Sequence, residues 1–123
     1  AAAETLALCG DSLTMYTGCD DLTVPIMSLG GKGVISVFSN IMPKETHEIT
    51  QLCLANNCEE AAKLQMKYLE LINNLFIEVN PIPIKEAMNQ MKMPSGPCRL
   101  PLCEMTDEHI ETLKNSMKKI GLI

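Results

Sequence analysis

The stretch Leu29-Gly30-Gly31-Lys32-Gly33-Val34-Ile35-Ser36-Val37-Phe38-Ser39-Asn40 constrains this chain more than any other. Its glycines release a helix, a short β-branched run follows, and polar residues with Pro43 open the next helix. A run such as Val34 to Phe38, apolar on both faces and bounded by turn signals, suits a parallel strand covered on both sides. Parallel strands need a crossover helix and neighbours in a sheet. The remaining residues offer at most one further strand, Ser12 to Thr17, where polar and apolar residues alternate. Two open edges would remain, which folded proteins avoid. A partner sheet is therefore expected from outside these residues.

The other elements read as helices. Ala1 to Leu8 holds good helix formers and stops at Gly10. Gly18-Cys19-Asp20-Asp21 turns the first strand into a helix running to about Leu29, with Asp20 or Asp21 as its N-cap. Residues 12–38 thus form one β-α-β unit, right-handed by the general rule. Pro43 opens a helix that Asn56-Asn57 ends. The longest helix runs from Glu59 to about Ile77, with Glu59, Lys63, Lys67, Glu70 and Asn74 on one narrow polar stripe. Asn80-Pro81-Ile82-Pro83 starts another helix, and Arg99-Leu100-Pro101-Leu102 reads as an extended connector. Thr106 is placed to cap the last helix, where Asp107 and Glu108 meet the positive end of the dipole and Lys114, Lys118 and Lys119 lie towards the negative end.

Composition excludes several classes of function. A net charge of −5 with Arg99 as the single arginine argues against nucleic acid as a partner. No apolar run approaches the ~20 residues of a membrane helix, and no signal-peptide pattern opens the chain. The six cysteines include no C-x-x-C, and with two histidines no usual zinc spacing exists. The thiols are expected reduced and mostly buried, and no metal or cofactor is expected.

In parallel α/β folds the chemistry lies at the C-terminal ends of the strands. Here those ends are Tyr16-Thr17-Gly18 and Phe38-Ser39-Asn40. Gly18 is read first as a turn residue of positive φ and second as a place where a ligand approaches the backbone. Asp20-Asp21 is read as a helix start before an acid–base pair. Ser36 and Ser39 have no base nearby in sequence. Gly30-Gly31-Lys32-Gly33 fails as a phosphate loop because it precedes a strand. Lys32 stands at the N-terminal end of that strand, away from the expected chemistry, and His47 and His109 are expected in solvent. No catalytic residue is assigned.

Four runs, Tyr16-Thr17-Gly18-Cys19-Asp20-Asp21, Leu29 to Val37, Phe76-Ile77-Glu78-Val79-Asn80-Pro81-Ile82-Pro83-Ile84-Lys85 and Arg99-Leu100-Pro101-Leu102, resemble the C-terminal part of the dihydrodipicolinate synthase family. The Gly-Val-Ile-Ser strand is similar across the wider pyruvate-aldolase superfamily that includes N-acetylneuraminate lyase. The resemblance implies the C-terminal part of a (β/α)8 TIM barrel, with the last two parallel strands near 12–17 and 33–38 and their helices in residues 1–57. Residues 58–123 would form a helical C-terminal extension. It further implies a Schiff-base lyase of lysine and diaminopimelate biosynthesis that condenses pyruvate with aspartate semialdehyde. Such an enzyme would be cytoplasmic and tetrameric.

The resemblance places two substrate-binding residues in this chain. Ile35 matches the position whose main-chain oxygen faces pyruvate, and Gly18 matches the glycine at the pocket mouth. Leu29 matches a region that packs dimer against dimer. Cys19 departs from the acidic or amide residue usual after the glycine. The Schiff-base lysine, the proton-shuttling tyrosine, the carboxylate-binding threonines and the lysine-inhibitor site belong to earlier strands, so these residues alone are expected to be inactive. Two alternatives are a non-catalytic half-barrel that assembles with copies of itself or an N-terminal fragment, and a pyruvate aldolase using another aldehyde.

Overall fold

A computed structural model describes all residues, 1–123. It contains two short strands and six α-helices: α1 (Ala2–Cys9), β1 (Tyr16–Thr17), α2 (Thr23–Ser28), β2 (Gly33–Val34), α3 (Pro43–Leu54), α4 (Cys58–Asn74), α5 (Ile82–Gln90) and α6 (Asp107–Lys119). The chain forms two compact units, Ala1–Lys67 and Tyr68–Ile123, that meet in sequence inside α4.

In the first unit β1 and β2 pair in parallel, with Tyr16 opposite Gly33 and Thr17 opposite Val34. Lys32 N donates to Met15 O and Ile35 N to Thr17 O, each at 2.8 Å, so the ladder extends one residue beyond each end of β2. The expected strands over 12–17 and 33–38 are therefore longer than the paired segments. Ser12 belongs to a 3₁₀ turn, Gly10–Ser12, and its hydroxyl bonds Cys9 O. Phe38–Asn40 likewise forms a 3₁₀ turn. A strand exists only where a neighbour accepts its hydrogen bonds, and each strand here has one neighbour.

The glycine and proline punctuation operates as expected where α2 stops and α3 starts. Gly30, with φ +106°, ends α2 through Gly31 N to Ile26 O (3.0 Å) and Gly30 N to Met27 O (3.0 Å), the paired bonds of a Schellman stop. A Cβ on Gly31 would stand 2.7 Å from Ile26 Cγ2 and 2.8 Å from Ile26 O, so only glycine fits there. Pro43 occupies the first turn of α3, where its missing N–H costs nothing. The core of this unit gathers Val24 and Met27 from α2, Ile49 and Cys53 from α3, and Ala61 from α4.

In the second unit Tyr68, Leu71 and Ile72 of α4 are buried, as are Ile82, Ile84 and Ala87 of α5 and Leu113, Ser116 and Met117 of α6. Helix α4 ends at Asn74, short of the expected Ile77, and Phe76 beyond it is exposed. The segment Arg99–Leu102 is a turn closed by Leu102 N donating to Arg99 O at 3.0 Å, with the Leu100–Pro101 peptide cis, rather than an extended connector. No helix is long and apolar enough to cross a membrane.

Candidate functional site at the strand ends

Parallel pairing brings the C-terminal ends of β1 and β2 together, and the side chain between them is Asp20. Its carboxylate, 3% exposed, accepts from Val37 N at 2.9 Å, from Phe38 N at 3.1 Å and from the Ser36 hydroxyl. Ser36 Oγ in turn accepts from Ser39 N at 2.8 Å, and Ser39 Oγ donates to Ser36 O at 3.1 Å. Asp20 or Asp21 was expected to cap α2, and neither does. Asp20 instead spans to the chain leaving β2, and this diversion of the Val37 and Phe38 amides is why the second strand stops early. The residues from Asp20 to Leu22 form a 3₁₀ turn, and α2 begins only at Thr23, whose hydroxyl donates to Asp20 O at 2.9 Å.

A second support enters from α4. Gln65, buried, accepts from Val24 N at 2.9 Å through Oε1 and donates to Asp21 O at 2.5 Å through Nε2. It satisfies one donor of the first turn of α2 and one acceptor just before it, which an isolated helix start leaves to water. The sequence reading missed both Gln65 and the Asp20–Ser36 pair. A buried glutamine within an apolar helical face was the available signal for the first.

Thr17 shapes the rim. Its hydroxyl accepts from Cys19 N at 3.1 Å and donates to Cys19 O at 3.3 Å, holding Gly18 at the tip of a tight turn. The expectation that Gly18 needs a positive φ is overturned, because its backbone lies outside the left-handed region and an added Cβ would meet no atom within 4 Å. Neither conformation nor packing within this chain demands glycine there. Ile35 lies one residue past β2, with its side chain 72% exposed.

The Asp20–Ser36–Ser39 network is not a nucleophilic site. Two main-chain amides occupy one Asp20 oxygen and the Ser36 hydroxyl occupies the other, and no histidine takes part. Lys32 lies at the other end of β2. His47 is exposed as expected, but His109 is not free in solvent: its Nδ1 lies 2.7 Å from Glu78 Oε1. The cysteines depart from the expectation that most are buried: of the six free thiols Cys53 is buried, Cys19 and Cys103 are exposed, and Cys9, Cys58 and Cys98 are half-buried.

Comparison with known proteins gives these strand ends a context. The family model described as "Dihydrodipicolinate synthetase family" matches residues 1–120. The 4-hydroxy-tetrahydrodipicolinate synthase of Acetivibrio thermocellus is 52% identical over 120 residues, which cover 98% of this chain and 41% of that protein. The crystal structure of dihydrodipicolinate synthase from Aquifex aeolicus superposes with a TM-score of 0.94 at 39% identity, covering 98% of this chain and 41% of the other. The chloride-inhibited enzyme from Acinetobacter baumannii, solved with pyruvate, gives 0.94 at 34% identity, with 99% and 42% covered. The chain spans about two-fifths of the length of these relatives. With the whole of its parallel pair and the helices after it matched in both sequence and fold, the chain belongs to the dihydrodipicolinate synthetase family.

Proposed function

We propose that this chain is the C-terminal part of a Schiff-base lyase that condenses pyruvate with L-aspartate semialdehyde in the diaminopimelate route to lysine. Residues 1–57 contribute the last two strands of a (β/α)8 barrel and residues 58–123 the helical extension. The observation that supports this reading is the match of residues 1–120 to the dihydrodipicolinate synthetase family, with the parallel pair of strands in place and Gly18 at the C-terminal end of the first, where barrel enzymes bind substrate.

In this mechanism a lysine amine supplied from outside these residues attacks the pyruvate ketone and loses water to form an iminium. Loss of a methyl proton gives the enamine, whose carbon attacks the aldehyde of the second substrate. The amino group of the second substrate then attacks the iminium carbon, and the ring closes as the lysine amine leaves. This chain's part is to shape the pocket. The Ile35 carbonyl faces pyruvate, Gly18 leaves the mouth clear, and the Asp20 carboxylate fixes the backbone immediately after Ile35. Cys19, exposed beside Gly18, makes the rim less polar than an acidic residue would. The enzyme is cytoplasmic and self-associating, with Leu29, 55% exposed after α2, at the contact between dimers.

Borohydride trapping with pyruvate tests the assignment. The 13.5 kDa chain should retain its mass, whereas the longer protein containing it should gain one reduced pyruvate adduct. An adduct on the 123-residue chain would overturn the assignment of the nucleophile to other residues. Absence of an adduct on the longer protein would overturn the lyase itself.

A further inference from the structure

The peptide unit joining Ile35 to Ser36 is pinned on both sides. Upstream, Ile35 N donates to Thr17 O at 2.8 Å, which ties it to the end of β1. Downstream, the Ser36 hydroxyl and the amides of Val37 (2.9 Å) and Phe38 (3.1 Å) donate to the Asp20 carboxylate. Both pins come from the stretch between Thr17 and Asp20, so this peptide unit keeps a fixed relation to Gly18. The Ile35 carbonyl oxygen itself accepts no hydrogen bond from the chain. An acceptor held in place by its surroundings and left unclaimed is preorganised for a bound molecule. Asp20 is not spent on its own helix. The start of α2 is served by Gln65, which accepts from Val24 N at 2.9 Å and donates to Asp21 O at 2.5 Å. A carboxylate 3% exposed has given up its hydration, and the donors that replace it all lie just past Ile35.

We propose that Asp20 is a positioning residue of the pyruvate site, fixing the aim of the Ile35 carbonyl through the backbone from Ser36 to Phe38. This inference rests on the lyase reading and adds to it the side chain that keeps one of its contacts accurate. Once a lysine amine has condensed with the pyruvate ketone, the iminium carbon bears positive charge. A carbonyl dipole stabilises that charge only while its oxygen faces the carbon. The Asp20 oxygens are filled by backbone and hydroxyl donors, so Asp20 acts through Ile35 rather than on pyruvate. Loosening the clamp lets the Ile35 carbonyl turn away, and the effect falls on the half-reaction that forms the iminium. The attack on the aldehyde, which begins from the enamine already formed, is spared.

The test uses the longer protein containing this chain, as wild type and as Asp20→Asn. The amide keeps the size of the carboxylate, but its nitrogen donates where the carboxylate accepts. Borohydride trapping is followed across a pyruvate titration, and steady-state kinetics are measured with both substrates. In the variant, the half-saturating pyruvate concentration for trapping should rise about tenfold and kcat/KM for pyruvate should fall by the same factor, while kcat/KM for aspartate semialdehyde holds within about twofold. A purely structural role would lower the fraction of active protein, and so kcat and the trapping plateau, at unchanged half-saturation. That result, or equal falls in the two kcat/KM values, would overturn the proposal. A wild type that traps no pyruvate would overturn the lyase reading and the proposal with it. Identical titrations of a trapping wild type and the variant would overturn the positioning role alone. If Asp20→Asn fails to fold, Ser36→Ala decides, because it removes one donor to the carboxylate and leaves the Val37 and Phe38 amides in place. Its half-saturating pyruvate concentration should rise about threefold, and an unchanged value would overturn the proposal.

Discussion

Two carboxylates tie distant pieces of backbone together, one in each compact unit, and they do so differently. Asp20 is 3% exposed and binds the Val37 and Phe38 amides and the Ser36 hydroxyl, groups that never change charge in water. Glu78 has a side chain 16% exposed, and its Oε1 accepts from Thr106 N (3.0 Å), Thr106 Oγ1 (3.1 Å) and His109 Nδ1 (2.7 Å). Thr106 was expected to cap α6 with its own hydroxyl. That hydroxyl goes to Glu78 instead, and the glutamate holds the helix entrance from outside. The Thr106 amide, followed by His109, holds the Glu78 carboxyl below the usual carboxylate range, against a smaller opposing effect of burial. The deeper clamp ties backbone amides and a hydroxyl at the candidate site, and the shallower one pairs a carboxylate with an imidazole at a helix entrance.

The sharpest way to break this comparison is Asp20→Ala. Removing a buried charged acceptor leaves two amides and a hydroxyl unpaired and should cost about 3 kcal/mol. Amide exchange at Val37 and Phe38 should rise on the order of a hundredfold, and an unchanged rate would show that the clamp carries no stability. Gln65→Leu keeps similar bulk but orphans Val24 N and Asp21 O, for a cost of about 2 kcal/mol by denaturant unfolding.

Glu78→Gln should cost about 1 kcal/mol near neutral pH, as for the loss of a helix cap. Its distinguishing signature is the acid limb. Because the folded pKa of Glu78 is lowered, its stabilisation is present above the unfolded carboxylate value, about 4.3, and is lost as pH falls through the folded value. The variant should therefore have a shallower loss of stability below about pH 4.3. Acid unfolding curves of equal slope would remove the electrostatic half of the comparison. Lys119→Ala calibrates the small end. Lys119 and Glu70 form an ion pair with both side chains more than half exposed, and its loss should change stability by under about 0.5 kcal/mol.

The helix punctuation was legible in the sequence because each signal acts within one turn of chain. Gly30-Gly31, Pro43, Asn56-Asn57 and Gly121 stand where helices start or stop, and the parallel pairing around Gly33-Val34 follows from the run they bound. The strand-end location of the candidate site was equally legible, since it needs only the strand direction. The length of the strands was not. Val37 and Phe38 have the residue types of a strand, but the Asp20 carboxylate takes their amides, and no periodicity records that competition. Gly18 illustrates the same limit: its residue type invited a positive-φ explanation that only the backbone removed.

By itself the sequence determined the helices, the parallel pair and the family, since local propensity, capping chemistry and recurrent motifs are written in neighbouring residues. Tertiary structure decided the partners. Asp20 reaches residues 16 to 18 positions away, Glu78 reaches 28 to 31, and Gln65 reaches 41 to 44. A polar side chain withdrawn from water must find such a partner wherever the fold brings one, so its role follows from chain reversals far outside any local window.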